Sequence, residues 1–164
     1  MGTKRHRVLY IEKPSCVGGS VTGLYELVRS LKGSCYEPVI LFHGPNAYRE
    51  RFRTLGAQVL TLSEEAPAVP VTVSRRDIAA SLSRYSNSLA ETYRVAKQIY
   101  LVARQDWPLA RQVAGLIKAE AIDLVHHNND LSTNRATILA ALLVGVPQIC
   151  HVRTLDRFSF DRRT

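Results

Sequence analysis

The chain has 164 residues, 46% of them hydrophobic and 22% charged, enough for one domain with its own core and too ordinary in composition for a disordered or fibrous protein. Twenty-two Lys and Arg against 14 Asp and Glu leave a net charge of +8, which suits phosphorylated ligands, an anionic membrane or nucleic acid. Nucleic acid is set aside because no helix-turn-helix, zinc-finger or RNP-type motif is present, and neither a membrane-spanning apolar run nor a secretory signal after the basic stretch Met1 to Arg7 can be found.

Val8 to Ile11 reads as a first strand, followed by a loop from Glu12 to Val17 and then Gly18-Gly19-Ser20. Val21, Leu24, Leu27, Val28 and Leu31 recur at helical spacing and mark the buried stripe of a helix from Ser20 to Leu31. Pro38 to Phe42 is a second strand, Gly44-Pro45-Asn46 a turn, Ala47 to Leu55 a short helix ended by Gly56, and Gln58 to Leu62 a third strand. Ser63 to Val73 holds two prolines and reads as a loop. Ser74 with Asp77 resembles a capping box opening a long helix, in which Ile78, Leu82, Tyr85, Leu89, Tyr93 and Ala96 step by three or four. Asp106 and Pro108 open another helix with Leu109, Val113, Leu116 and Ile117 on its apolar face. Ile122 to Val125 is a fourth strand running into His126-His127-Asn128-Asn129. Ser132 or Thr133 caps a helix carrying Ile138, Leu139, Leu142 and Leu143, Gly145 stops it, and Gln148 to Val152 is a fifth strand with Arg153 at its end.

Strand–helix alternation predicts an α/β, Rossmann-like doubly wound parallel sheet in a single domain, with ligands along the edge formed by the carboxyl ends of the strands. Three polar clusters fall on that edge: Gly18-Gly19-Ser20, His126 to Asn129, and Arg153. A glycine turn running into a helix N-terminus can hold an anion, or can be a plain turn between strand and helix. His126 and His127 are adjacent, so in an extended segment they point to opposite faces, and without further ligands they make a poor zinc site. Asn128, Asn129 and Asp130 could instead form a turn that caps the next helix. Arg153 could hold a phosphate or carboxylate, or make a surface ion pair. Cys16, Cys35 and Cys150 show no CxxC spacing, which fits a reduced, cytoplasmic protein without structural zinc. The central helix, with Arg75, Arg76, Arg84, Arg94, Lys97 and Arg104 interleaved with Tyr85, Tyr93 and Tyr100, has two readings: a core-packing helix with a charged outer face, or one resting on an anionic membrane.

Three stretches together resemble the N-terminal domain of family-4-like glycosyltransferases with the GT-B architecture. They are Arg7-Val-Leu-Tyr-Ile-Glu with Gly18-Gly19-Ser20 and Leu24-Tyr-Glu-Leu; Tyr36-Glu-Pro-Val-Ile-Leu with Leu55-Gly-Ala-Gln-Val; and Ile122-Asp-Leu-Val-His-His-Asn-Asn with Ile138-Leu-Ala-Ala, Gly145-Val-Pro and His151-Val-Arg. The region from Ser63 to Arg104 is the least similar.

The resemblance implies an acceptor-side domain facing a donor-binding domain across a cleft, sugar transfer from a nucleotide-diphosphate donor to a hydroxyl acceptor with retention, and no metal or other cofactor. On that pattern Gly18, Gly19 and Ser20 approach the donor diphosphate, His126 and Asn128 orient acceptor or sugar hydroxyls in the catalytic site, and Asn129 and Arg153 contact a glycan or lipid-linked acceptor. The chain stops at Thr164, where the second domain of the pattern begins. The resemblance therefore implies a half that needs a C-terminal domain or partner subunit for activity, located in the cytoplasm or at the inner face of the membrane. The alternatives are a non-catalytic glycan- or partner-binding module and half of a GT-B-fold nucleotide-sugar epimerase. A dinucleotide oxidoreductase fits poorly, because G-x-G-x-x-G is missing and no acidic residue ends the second strand.

Overall fold

Five apolar runs pair side by side into one parallel sheet: β1 (His6–Glu12), β2 (Tyr36–Phe42), β3 (Gln58–Thr61), β4 (Leu124–His127) and β5 (Gln148–Cys150), in the order β3-β2-β1-β4-β5. The computed structural model describes residues 4–12, 18–62, 87–128 and 134–152. The helices are α1 (Gly19–Ser30), α2 (Arg49–Thr54), α3 (Asn87–Leu101), α4 (Trp107–Ala119) and α5 (Arg135–Val144). This is the Rossmann-like doubly wound arrangement that strand–helix alternation predicts. None of the described helices is long and apolar enough to cross a membrane.

The central strands are buried on both faces, which is why they read as continuous rather than alternating apolar runs. Val8, Tyr10, Ile40 and Phe42 face Val21, Leu24 and Val28 of α1 and Phe52 of α2. Leu9, Ile11, Val39, Leu41 and Val125 face Ala110, Val113 and Ile117 of α4 and Ala140 and Ala141 of α5. Phe42 and Phe52 are fully buried with ring centroids 5.8 Å apart, each contributing about 2–3 kcal/mol by leaving water. Gly145 ends α5 with φ +77°, its N–H donating to the Ala141 carbonyl at 2.9 Å, the left-handed stop expected there.

Several boundaries differ from the sequence expectation. Glu12 is the last residue of β1 rather than the first of a loop, and β4 starts at Leu124 and takes in both histidines. The helix expected from Asp106 and Pro108 is α4, starting at Trp107 with Asp106 at its N-cap position, but no break precedes it: α3 runs into it through a π turn, Val102–Asp106. Pro108 has no N–H for the Arg104 carbonyl and its ring crowds that oxygen, so the helix loosens instead of breaking. Of the central helix, α3 is the described part: Tyr93 and Lys97 are half-buried on one side, and Val95, Ile99 and Tyr100 are exposed. The loop from Ser63, the capping pair Ser74 and Asp77, and the first half of the long helix with Arg75, Arg76, Arg84 and Tyr85 lie outside the described residues, as do Cys16, Ser132 and Thr133.

Candidate functional site

The strand order reverses between β1 and β4, which opens a crevice outside their carboxyl ends, the usual ligand position in such sheets. Glu12 ends β1 there and is fully buried. A buried carboxylate needs donors, and Ser20 at the start of α1 and the sequence-distant Asn128 supply them. Ser20 Oγ donates to Glu12 Oε1 at 2.8 Å, and Asn128 Nδ2 donates to Glu12 Oε2. The other Asn128 Nδ2 hydrogen goes to the Ser20 carbonyl at 3.0 Å. The backbone joins in, with the Asn128 N–H donating to the Ile11 carbonyl at 3.2 Å and the His43 N–H to the Glu12 carbonyl at 3.4 Å. The Glu12 side chain thus ties the ends of β1 and β4 to the start of α1, and its backbone carbonyl adds the end of β2.

Beside this clamp, α1 begins without a side-chain cap and with no acidic residue in its first turn. Its first N–H groups have no intrahelical partner, and the helix dipole makes this end favourable for negative charge. Gly18 precedes the helix with φ −137° and ψ 177°, extended backbone that any residue adopts. A Cβ built at Gly18 or Gly19 meets no atom within 4 Å. Among the described residues, then, neither backbone angle nor packing demands glycine at these positions, and the open backbone leaves room for close approach of a ligand.

The two histidines diverge as adjacent strand residues must. His126 is buried on the α1 face, its ring 5.1 Å from Tyr10 edge-on and 6.0 Å from His151 in a near-parallel stack. Burial, followed by the Tyr36 charge, pushes the Tyr10 hydroxyl up to about 12. His127 is buried on the other face, with Nε2 2.9 Å from Gln148 Oε1 and Nδ1 3.2 Å from Thr137 Oγ1. Burial holds its pKa below the usual histidine value, partly offset by the Gln148 hydrogen bond, so the ring is neutral at neutral pH.

Gly18, Gly19, Ser20 and Asn128 are thus brought together at the crevice, and His126 sits on the adjoining sheet face. Asn129 and Arg153 lie outside the described residues. The sequence reading missed the buried role of Glu12; the available signal was a carboxylate following four apolar residues without a break. It also gave no role to His151, the stacking partner of His126. Among the described residues no three His, Cys, Asp or Glu side chains group closely enough to hold a metal ion.

No protein-family model and no curated protein sequence matches the chain. Among solved structures it is similar to a glycosyltransferase from Rickettsia africae, with a TM-score of 0.55 and 14% identity over 89% of this chain and 29% of that one. It is similar to HepE from Anabaena in complex with UDP and glucose, with a TM-score of 0.53 and 12% identity over 90% of this chain and 29% of that one. It is also similar to the C-terminal domain of a Pyrococcus furiosus hydrogenase, with a TM-score of 0.51 and 12% identity over 91% of this chain and 92% of that one. The fold is therefore a Rossmann-like α/β domain of the kind found in GT-B glycosyltransferases, and the chain spans about three-tenths (29%) of the length of the first two.

Proposed function

We propose that this chain is the acceptor-side domain of a retaining, family-4-like glycosyltransferase that moves a sugar from a nucleotide-diphosphate donor to a hydroxyl acceptor. The observation that carries the reading is the glycine-opened N-terminus of α1 at the switch point, where among the described residues nothing crowds the backbone at Gly18 and Gly19 and a ligand can approach it. In this role the α1 amides stabilise the negative charge that grows on the departing diphosphate. His126 and Asn128 orient hydroxyls of the sugar or acceptor, Asn129 and Arg153 contact the acceptor, and no metal is required. The donor-binding half is supplied by a further domain or a partner subunit, and a polysaccharide or lipid-linked glycan built on the cytoplasmic side is the product class.

The test is titration of the isotope-labelled chain with UDP and UDP-glucose, followed by amide NMR shifts. Shifts centred on Gly18, Gly19 and Ser20 are expected. Saturating ligand without any shift at the start of α1 would sink the reading. A second reading, a non-catalytic partner- or glycan-binding module, draws on the clamp: Ser20 Oγ and both Asn128 Nδ2 hydrogens are spent inside the protein. It expects glycan binding with no UDP effect.

A further inference from the structure

The helical arm leaves an apolar stripe facing outward. Val95, Ile99, Val102 and Trp107 are 55%, 64%, 37% and 43% exposed, far above what core-packing residues show. In an α-helix at ~100° per residue, Val95, Ile99 and Val102 fall on one side, but position 107 drifts about 120° from Val95. The π turn corrects this. An i→i+5 turn takes in one residue more than an α turn, so Trp107 stands where position 106 would, about three full turns from Val95. The result is a shallow hollow of about 480 Å³ lined by Ile99, Val102, Ala103 and Trp107.

The surroundings are basic. Between residues 87 and 119 stand Arg94, Lys97, Arg104, Arg111 and Lys118 against only Glu91 and Asp106. Asp106 is already engaged by Arg135 at 3.2 Å. Arg94 and Arg111 bracket the stripe in sequence. On the opposite side of α3, Lys97 Nζ lies 5.9 Å from the Tyr93 ring centroid, and Arg104 of the π turn sets its Cζ 6.0 Å from the ring of Tyr100. An apolar stripe ending in tryptophan, with an arginine- and lysine-rich polar face behind it, is the pattern of a helix that lies in a bilayer interface. Long basic side chains reach past the apolar band to lipid phosphates. A second copy of the chain is the poorer occupant, since a self-paired arm sets positive charge against positive charge.

We propose that the α3–π turn–α4 stripe docks this protein on an anionic lipid surface, with the π turn bringing Trp107 into line with Val95, Ile99 and Val102. The inference does not rest on the glycosyltransferase reading, and its test contains no nucleotide. Trp107 is the chain's one tryptophan, so its fluorescence reports on the stripe directly. The purified chain is titrated with vesicles of phosphatidylcholine alone and of phosphatidylcholine with phosphatidylglycerol, and sedimented with each. The expected result is a blue shift and co-sedimentation with the anionic vesicles only, weakened by salt. Ile99→Glu, at an exposed site, and the milder Val95→Ser should lower partitioning, the first about tenfold or more, with circular dichroism unchanged. No binding to anionic vesicles overturns the proposal. So does binding that Ile99→Glu leaves intact, or a blue shift that tracks protein concentration without lipid, which would mean self-association.

Discussion

Replacing Asn128 with Asp tests the clamp at its weakest point. The two side chains have nearly the same shape, but Nδ2, which donates to Glu12 Oε2 and to the Ser20 carbonyl, becomes an oxygen. Two carboxylates then face each other where both residues are 0% exposed. Two like charges at hydrogen-bonding distance cannot both persist, so the folded variant takes up one proton and restores one hydrogen bond. Holding a carboxyl proton at pH 7 costs about 1.4 kcal/mol for each pH unit above the ordinary value near 4, about 4 kcal/mol in all. The lost bond to the Ser20 carbonyl adds about 1 kcal/mol. The folded variant binds a proton that its unfolded chain lacks, so its stability falls as pH rises. Relative to the parent, the deficit is about 5 kcal/mol at pH 7 and about 2 kcal/mol at pH 5. Urea unfolding of both proteins across this range, followed by circular dichroism, measures it. A deficit below about 1 kcal/mol at pH 7, or one that does not change with pH, refutes the clamp.

His127, whose pKa burial depresses, gives a second pH effect: stability is intact above the ordinary histidine value near 6.5 and is lost as pH falls below it. His127→Gln should remove that component from melting curves between about pH 5 and 7. Gly145→Ala forces a side chain into φ +77° and should cost about 1 kcal/mol, a fall in Tm of about 2–4 °C by calorimetry. Gly19→Leu adds a side chain with no atom within 4 Å of its Cβ, so Tm should stay within about 2 °C while the UDP-induced amide shifts disappear. Lost shifts together with a large fall in Tm would mean the glycine serves the fold.

Period and punctuation made most of the fold readable. Val21, Leu24 and Val28 at helical spacing are the buried face of α1, and the glycine at 145 stops α5 as its position suggested. The continuity of the α3–α4 junction was not readable, because a proline two residues after an aspartate signals a fresh helix start unless tertiary packing holds the helix together. In this chain the buried Ala110, Val113 and Ile117 anchor α4 on the sheet, and one π turn absorbs the proline. The candidate site was half legible. Glycines next to a helix start are local signals. The bond from Asn128 to Glu12 joins residues 116 apart and exists only because β1 and β4 are neighbours. Strand order, which no local pattern encodes, creates that contact.

Glu12 also governs what the crevice can bind. The α1 dipole favours a nearby anion by about 0.3–1 kcal/mol. The Glu12 carboxylate opposes it: two like unit charges on the order of 8 Å apart at an effective dielectric near 20 repel by about 2 kcal/mol. A diphosphate at Gly18 and Gly19 therefore depends on the α1 amide hydrogen bonds and on cations brought by another domain. The sign of the Glu12→Gln effect then identifies the ligand group. If phosphate lies against α1, neutralising Glu12 tightens UDP binding by about thirtyfold for each phosphate charge it faces, while weakening the fold. If a sugar or acceptor hydroxyl is recognised through Glu12, the same substitution loosens binding, because a charged acceptor is replaced by a neutral one. Titration of the variant at a temperature where circular dichroism shows it folded reads that sign, and an unchanged affinity removes the crevice from consideration as the nucleotide site.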